Sequence, residues 1–222
     1  VTMRIITISG ERYGQAAELA AALSKKLGCP VMERGELVEL ARESGIKVGR
    51  MEVAILKPQG PMEKLAREKE LYLAFVTKLL CERAQQGDFI YCGGAGHLLL
   101  PGVSHKLRVG VTSSHERRIQ RASTALKISS ERATRYLERL DEDISRLQRF
   151  IHHVDGRDAG HFDVVLNMET MSVSNAATLL CHTAELPDFQ HTPASLRQLG
   201  DHLLAARAKL LLAQDERTRE ID

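Results

Sequence analysis

Short, continuous apolar runs alternate along this chain with longer stretches of helical period. Arg4 to Ser9, built around Ile5, Ile6 and Ile8, reads as a buried strand. Gly10 to Ala16 follows as a turn, and Ala17 to Leu27 as a helix that Gly28 ends. Pro30-Val31-Met32 is either a short strand or an extended link. Glu36 to Ser44 predicts a helix with Leu37, Val38, Leu40 and Ala41 on its apolar side. Lys57 to Pro61 reads as a loop, and Met62 to Gln86 as a long helix closed by Gly87. Phe89 to Cys92 and Leu107 to Val111 are further strands, the first running into Gly93-Gly94-Ala95-Gly96. Thr112 to Glu116 suits a helix start and leads into one Arg-rich helical stretch from Glu116 to about Phe150. Val164 to Asn167 is the last strand, and Val173 to His182 the closing helix, begun by Ser172 or Ser174. Such alternation implies a parallel sheet covered on both faces. Asp188 to Pro193 then reads as a linker. Thr192 and Pro193 cap a final helix carrying Leu196, Leu199, Leu203, Leu204 and Leu210, outside the alternation.

Composition narrows the class. The chain has 222 residues, enough for one α/β domain with an appendage. Hydrophobic residues make up 43% and charged residues 27%, so a packed core is expected; Trp is absent, so that core is aliphatic. A net charge of +2 argues against a dedicated nucleic-acid surface. No apolar run suits a membrane span, and no signal-peptide pattern opens the chain. Cys29, Cys81, Cys92 and Cys181 include no CxxC, which fits reduced thiols in a cytoplasmic protein.

The first strand, turn and helix carry the most chemistry. A glycine-containing turn between a strand and a helix presents free backbone N–H groups and the helix dipole to an anion. Gly10, Glu11, Arg12, Tyr13, Gly14, Gln15, Ala16 and Ala17 are therefore the candidate phosphate-binding residues. The Gly-x4-Gly-Lys-Ser/Thr signature is nevertheless absent. With Gly10 as its first glycine, Gln15 falls on the second glycine, Ala16 on the lysine and Ala17 on the magnesium-binding hydroxyl. Lys25, Lys26, Lys57 and Lys64 are the lysines that could stand in, as is Arg12 from the turn itself.

Several segments in order resemble the cytidylate kinase-like family. They are Ile6 to Gly14, Glu18 to Ala20, Leu27 to Val31, Leu37 to Ala41 with Ser44-Gly45, Phe89 to Gly96, Arg118 to Arg121, Asp143 to Arg146, and Phe162 to Asn167. The resemblance covers about residues 3 to 183. It implies a three-layer P-loop NTPase-like α/β fold, with a parallel sheet of about five strands, helices on both faces and a helical lid. The domain would run over residues 1–186, its lid over about 117–160, with 187–222 as linker and C-terminal helix. Leu203 to Lys209, through Asp215 to Thr218, also resembles the opening of a BON domain. That implies the start of a further, truncated domain; otherwise the helix packs on the first domain or mediates homodimerisation. Two departures stand out: the loop is poorer in glycine than is usual in the family, and Gly93-Gly94-Ala95 replaces a Gly-Arg-Gly, so Gly94 lacks an arginine expected near the monophosphate.

The resemblance implies ATP and Mg²⁺ as cofactors if the protein is active, and a CMP-like acceptor. Arg118 and Arg121, beside Arg117 on one helix face, would contact the donor. Arg146 and Arg149 would close over the phosphates with the lid, Asp143-x-x-Arg146 matching a family motif. Glu131, Glu138, Asp141, Glu142 and Asp143 interleave with these arginines, so intrahelical ion pairs are the alternative. Glu33, Arg34, Gly93 and Gly94 would face the acceptor. No metal site is expected, since His97, His152, His153 and His161 match no zinc spacing. Three functions stay open: phosphoryl transfer from ATP to a nucleoside monophosphate such as CMP or dCMP, a catalytically impaired homologue that senses nucleotides or regulates a partner, and an interaction domain that binds no nucleotide.

Overall fold

The computed structural model describes residues 3–46, 62–93 and 95–214. Lys57, Gly94 and residues 215–218 of the BON-like segment lie outside that set. Five strands form one all-parallel sheet: β1 (Ile5–Gly10), β2 (Val31–Glu33), β3 (Phe89–Cys92), β4 (Lys106–Thr112) and β5 (Val164–Asn167). Their order is β2-β3-β1-β4-β5, so the N-terminal strand lies in the middle. Its end, and the loop that follows, therefore stand at the centre of the carboxyl edge, where open α/β sheets bind ligands.

Two cores explain the three layers. On one face Ile6, Ile8, Ile90, Leu107, Val109 and Val111 pack under α1 (Ala16–Leu27) and α6 (Val173–Ala184). On the other, Ile5, Phe89 and Tyr91 pack with α2 (Arg34–Glu43) and α3 (Met62–Gln86). The alternation of Ile5 against Ile6 and Ile8 is the period-2 signature of a strand buried on both sides. Leu199 and Leu203, both almost fully buried, bring α7 (Pro193–Gln214) onto the second core, and Arg207 pairs with Glu82 of α3 at 2.8 Å. The helix that seemed to lie outside the alternation thus completes this face. Its start is a reciprocal cap: Thr192 Oγ1 accepts from Ser195 N–H at 3.1 Å, and Ser195 Oγ accepts from Thr192 N–H at 2.9 Å.

The Arg-rich stretch is two helices, not one. α4 (His115–Leu126) and α5 (Ser130–His152) are separated by Lys127 at φ 54°, and Ser129 caps the second by accepting from Arg132 N–H. Ser129-Ser130-Glu131 carries that start signal in the sequence; the continuous arginine pattern obscured it. Among the described residues no helix is long and apolar enough to cross a membrane. None of the four cysteines is paired; Cys29 and Cys81 are buried.

His97 and His105 are buried, each with Nε2 lacking a hydrogen-bond partner. Nδ1 of His97 meets Ser9 Oγ at 3.0 Å, and Nδ1 of His105 meets Ser195 Oγ at 2.8 Å. Burial, reinforced by the nearby His161, holds the His97 pKa at about 3, and burial lowers that of His105 too. The unfolded chain takes up protons near pH 6.5, while folded His97 stays neutral until about pH 3. The unfolded state then binds more protons, so stability falls as pH drops through this window, by up to about 1.4 kcal/mol per pH unit for each such histidine. Thermal melts from pH 7 to pH 5 will show a falling Tm, with a shallower fall in His97→Asn. A Tm that is flat or rises on acidification contradicts this.

Candidate functional site

A cleft of about 1100 Å³ opens above the carboxyl edge of β1 and β3. Its floor is the β1–α1 loop, Gly10 to Ala17, and the first turn of α1 through Glu18. Glu33, Arg34, Cys92 and Gly93 line one side; Gln120 and Arg121 of α4 line the other; α5 contributes much of the remaining wall. Of the sequence candidates, all eight loop residues, Glu33, Arg34, Gly93 and Arg121 line this space.

The loop combines an unusual backbone with none of the expected side chains. Tyr13 (φ 65°) and Gln15 (φ 74°) are left-handed and alternate with residues at negative φ. That alternation turns successive N–H groups into an anion-binding concavity. Gly14 N–H donates to Glu11 C=O at 3.0 Å, closing the turn. A Cβ on Gly14 would lie 2.9 Å from the same Glu11 oxygen, so only glycine fits there. The first hydrogen bond of α1 runs from Leu19 N–H to Gln15 C=O at 3.0 Å. Ala16, Ala17 and Glu18 therefore offer N–H groups with no acceptor inside the helix, and Gln15 provides no side-chain cap. These donors and the helix dipole face the cleft.

Among the described residues no lysine lines the cleft where Ala16 lacks one. Lys25 and Lys26 occupy the last turn of the 12-residue α1, a helix about 18 Å long, and lie at the wrong end. Buried Lys106 spends its ammonium on the carbonyls of His97, Leu99 and Leu100, and burial lowers its pKa to about 8. Arg12 is the exposed cation of the loop; its guanidinium lies 5.9 Å from the Tyr13 ring centre.

The structure places the arginines of α4 and α5 in different surroundings. Arg118, expected at the phosphates, is 2% exposed and committed to protein partners. Its guanidinium donates twice to Asp141 at 2.8 Å, meets Glu11 at 3.2 Å, and donates from Nε to Arg12 C=O at 3.0 Å. Arg121 reaches the cleft but pairs with Glu18 of α1. Arg117 donates to the carbonyls of Met168 and Glu169. Arg146 pairs with Glu142 at 2.9 Å on the exposed outer face of α5, and Arg149 is exposed there too. The face that α5 turns to the cleft carries Tyr136, Leu140, Ile144, Leu147 and Ile151. That 3- and 4-residue spacing was present in the sequence, but the arginines on the opposite face drew attention from it.

Other cleft residues escaped sequence reasoning. Tyr72, Tyr91, Gln148 and His152 join the wall, brought together by packing from three segments distant in sequence. Burial, then Lys69 and His153, lower the pKa of His152 to about 4, so it stays neutral. Burial, then Glu33 and Glu18, raise the Cys92 thiol to about 11, which leaves it a poor nucleophile. Tyr13 meets Tyr136 edge-on, with ring centres 6.4 Å apart.

A model of the cytidylate kinase-like family matches residues 5–170. The chain belongs to the cytidylate kinase-like family. It is a kinase-like protein by family. An uncharacterized protein from Eubacterium ventriosum superposes with a TM-score of 0.63 at 13% identity, over 82% of this chain and 98% of that one. TT1252 from Thermus thermophilus superposes with a TM-score of 0.53 at 22% identity, over 82% and 97%. Both likenesses speak to the fold alone. No curated protein matches the chain.

The left-handed Gln15 yields a direct test. Glycine adopts that conformation freely, whereas a β-branched residue is strained there. Gln15→Gly will leave Tm unchanged or raise it, by up to about 1 kcal/mol of stability. Gln15→Val will lower it by about 1–3 kcal/mol in urea denaturation. Equal effects of the two variants would mean the loop is not held in this shape.

Proposed function

We propose that this protein binds a nucleotide through the backbone amides of the β1–α1 loop and transfers phosphate slowly or not at all, acting as a nucleotide-sensing or regulatory member of its family. The observation that carries this reading is the pairing of backbone N–H groups of Ala16, Ala17 and Glu18, free of acceptors inside the helix and facing the cleft, with alanines at the cation and hydroxyl positions. Phosphoryl transfer depends on positioning and on neutralising charge that spreads over the transferring group. Losing one such donor typically costs 10²–10³-fold in rate, about 3–4 kcal/mol. Here Ala16 offers no ammonium, Arg118 is occupied, and Arg146 and Arg149 face outward.

ATP fits the loop's backbone donors. Mg²⁺ fits less well: Ala17 presents a methyl where a hydroxyl would bind it, and among the described residues no cluster of three or more His, Cys, Asp or Glu could hold a metal. A CMP-like nucleotide suits the side of the cleft lined by Glu33, Arg34, Tyr72 and Tyr91. The competing reading, an active CMP or dCMP kinase, would draw its cations from Arg12, Arg34 and Arg121, which also line the cleft.

Thermal shift with ATP, with and without Mg²⁺, and with CMP, dCMP and UMP tests binding. At 100 times Kd a ligand stabilises the fold by about 2.7 kcal/mol. ATP will raise Tm, and Gly14→Val will abolish the rise. A coupled assay will show no turnover above that of Gly14→Val. Turnover of CMP or dCMP at ordinary kinase rates, about 1–100 s⁻¹, overturns the impaired reading in favour of the kinase. No Tm shift with any nucleotide overturns both. In Ala16→Lys/Ala17→Ser, ATP affinity will rise about tenfold, the gain of one charge-assisted phosphate contact.

A further inference from the structure

Arg118 joins three segments that are remote in sequence. It belongs to α4, and its guanidinium is shared between Asp141 of α5 and the β1–α1 loop, where it meets both the Glu11 carboxylate and the Arg12 carbonyl. Its side chain is 3% exposed and that of Asp141 17%, so these bonds are shielded from water. The neighbouring apolar contact runs the same way: Ala122 of α4 and Ala133 and Leu137 of α5 form a small core on which Tyr13 of the loop packs. The Arg12 carbonyl that Arg118 holds immediately precedes the left-handed Tyr13. An arginine suits this position because its planar fork spans a carboxylate and still leaves Nε–H for a third acceptor.

We propose that Arg118 is a positioning residue: by tying the loop to α5 it fixes the anion-binding backbone in place and links the attitude of the lid helix to occupancy of the loop. The link to occupancy rests on the nucleotide-binding reading above; the tie itself does not. A ligand can shift the lid only if it binds the tied and untied arrangements with different affinity. Arg118 supplies such a difference, because one guanidinium holds both the loop that meets the phosphate and the helix that covers the cleft.

Removing Arg118 alone would strand Asp141 and endanger folding. Arg118→Met combined with Asp141→Leu removes both charges and keeps apolar bulk in their place. The exchange of single amides in the full chain, followed by NMR, then reads the tie. Without ligand, the Gly14 and Leu19 amides, which close the loop, will exchange about tenfold faster in the double variant, while the β1 amides of Ile6 and Ile8 keep their protection. Arg118→Lys, which keeps the charge but lacks the fork, will show the same loop-specific loss. Unchanged loop exchange, or loop and strand amides accelerating together, overturns the proposal, since the second outcome is mere loss of stability. With ATP, the wild type will gain protection both in the loop and in α5 from Ala133 to Leu147, and the double variant in the loop alone. Equal α5 protection in both overturns the link. No ATP response in the wild type overturns the nucleotide reading and leaves the ligand-free comparison to decide whether Arg118 ties the loop.

Discussion

The cleft depends on a backbone constraint: left-handed conformations at Tyr13 and Gln15 within a loop that offers no cation at position 16. An L-residue held there stores of order 1 kcal/mol of strain, which persists only where surrounding contacts over-determine it. Those contacts are identifiable. Gly14 N–H closes the turn on Glu11, Arg118 holds the Arg12 carbonyl, and Tyr13 leans on Tyr136 of the lid. Amide direction follows from φ and ψ rather than from side chains, so the donors of Ala16 to Glu18 survive where glycine, lysine and hydroxyl do not. The central place of β1 in the sheet puts these donors at the middle of the carboxyl edge.

Electrostatics then decide what the scaffold can do. Most arginines near the cleft are satisfied by protein groups. Arg117 takes backbone carbonyls, Arg118 takes Asp141 and Glu11, and Arg121 takes Glu18. Those of α5 face solvent, and Arg146 forms the i, i+4 pair with Glu142 that the interleaved acids suggested. Exposed pairs of that kind contribute little, about 0.3–0.5 kcal/mol, whereas the shielded Arg118–Asp141 bond fixes geometry. The cleft side of α5 carries Tyr136, Leu140, Ile144 and Leu147 together with Asp143, so it brings apolar surface and a carboxylate but no arginine.

Most of the architecture could be read from the chain, because strands such as Ile5–Ser9 and Leu107–Val111 are continuous apolar runs and glycines 28, 45 and 87 mark helix ends. Side-chain roles were harder to read. Arg118, Arg121, Arg146 and Arg149 look alike as a charge series, yet helical phase sends them to three environments, and only the partners at Asp141 and Glu18 reveal which are occupied. The break at Lys127 was hidden for the same reason. Gln148 and His152 reach the cleft only because α5 spans its full height; no local pattern marks them. The loop was legible by position, since strand, glycine turn and helix alone define it, but its left-handed Tyr13 and Gln15 were not, because neither residue type prefers that conformation.

The most direct measurement is ¹⁵N–¹H NMR of the loop amides during titration with ATP and, separately, with inorganic pyrophosphate. Anion capture by the backbone predicts saturable downfield shifts of the Ala16, Ala17 and Glu18 amide protons with both ligands, persisting when Arg12 is replaced by Ala. Loop amides that stay in place while ATP shifts signals elsewhere, or that lose their response in Arg12→Ala, would contradict an anion site made by the backbone.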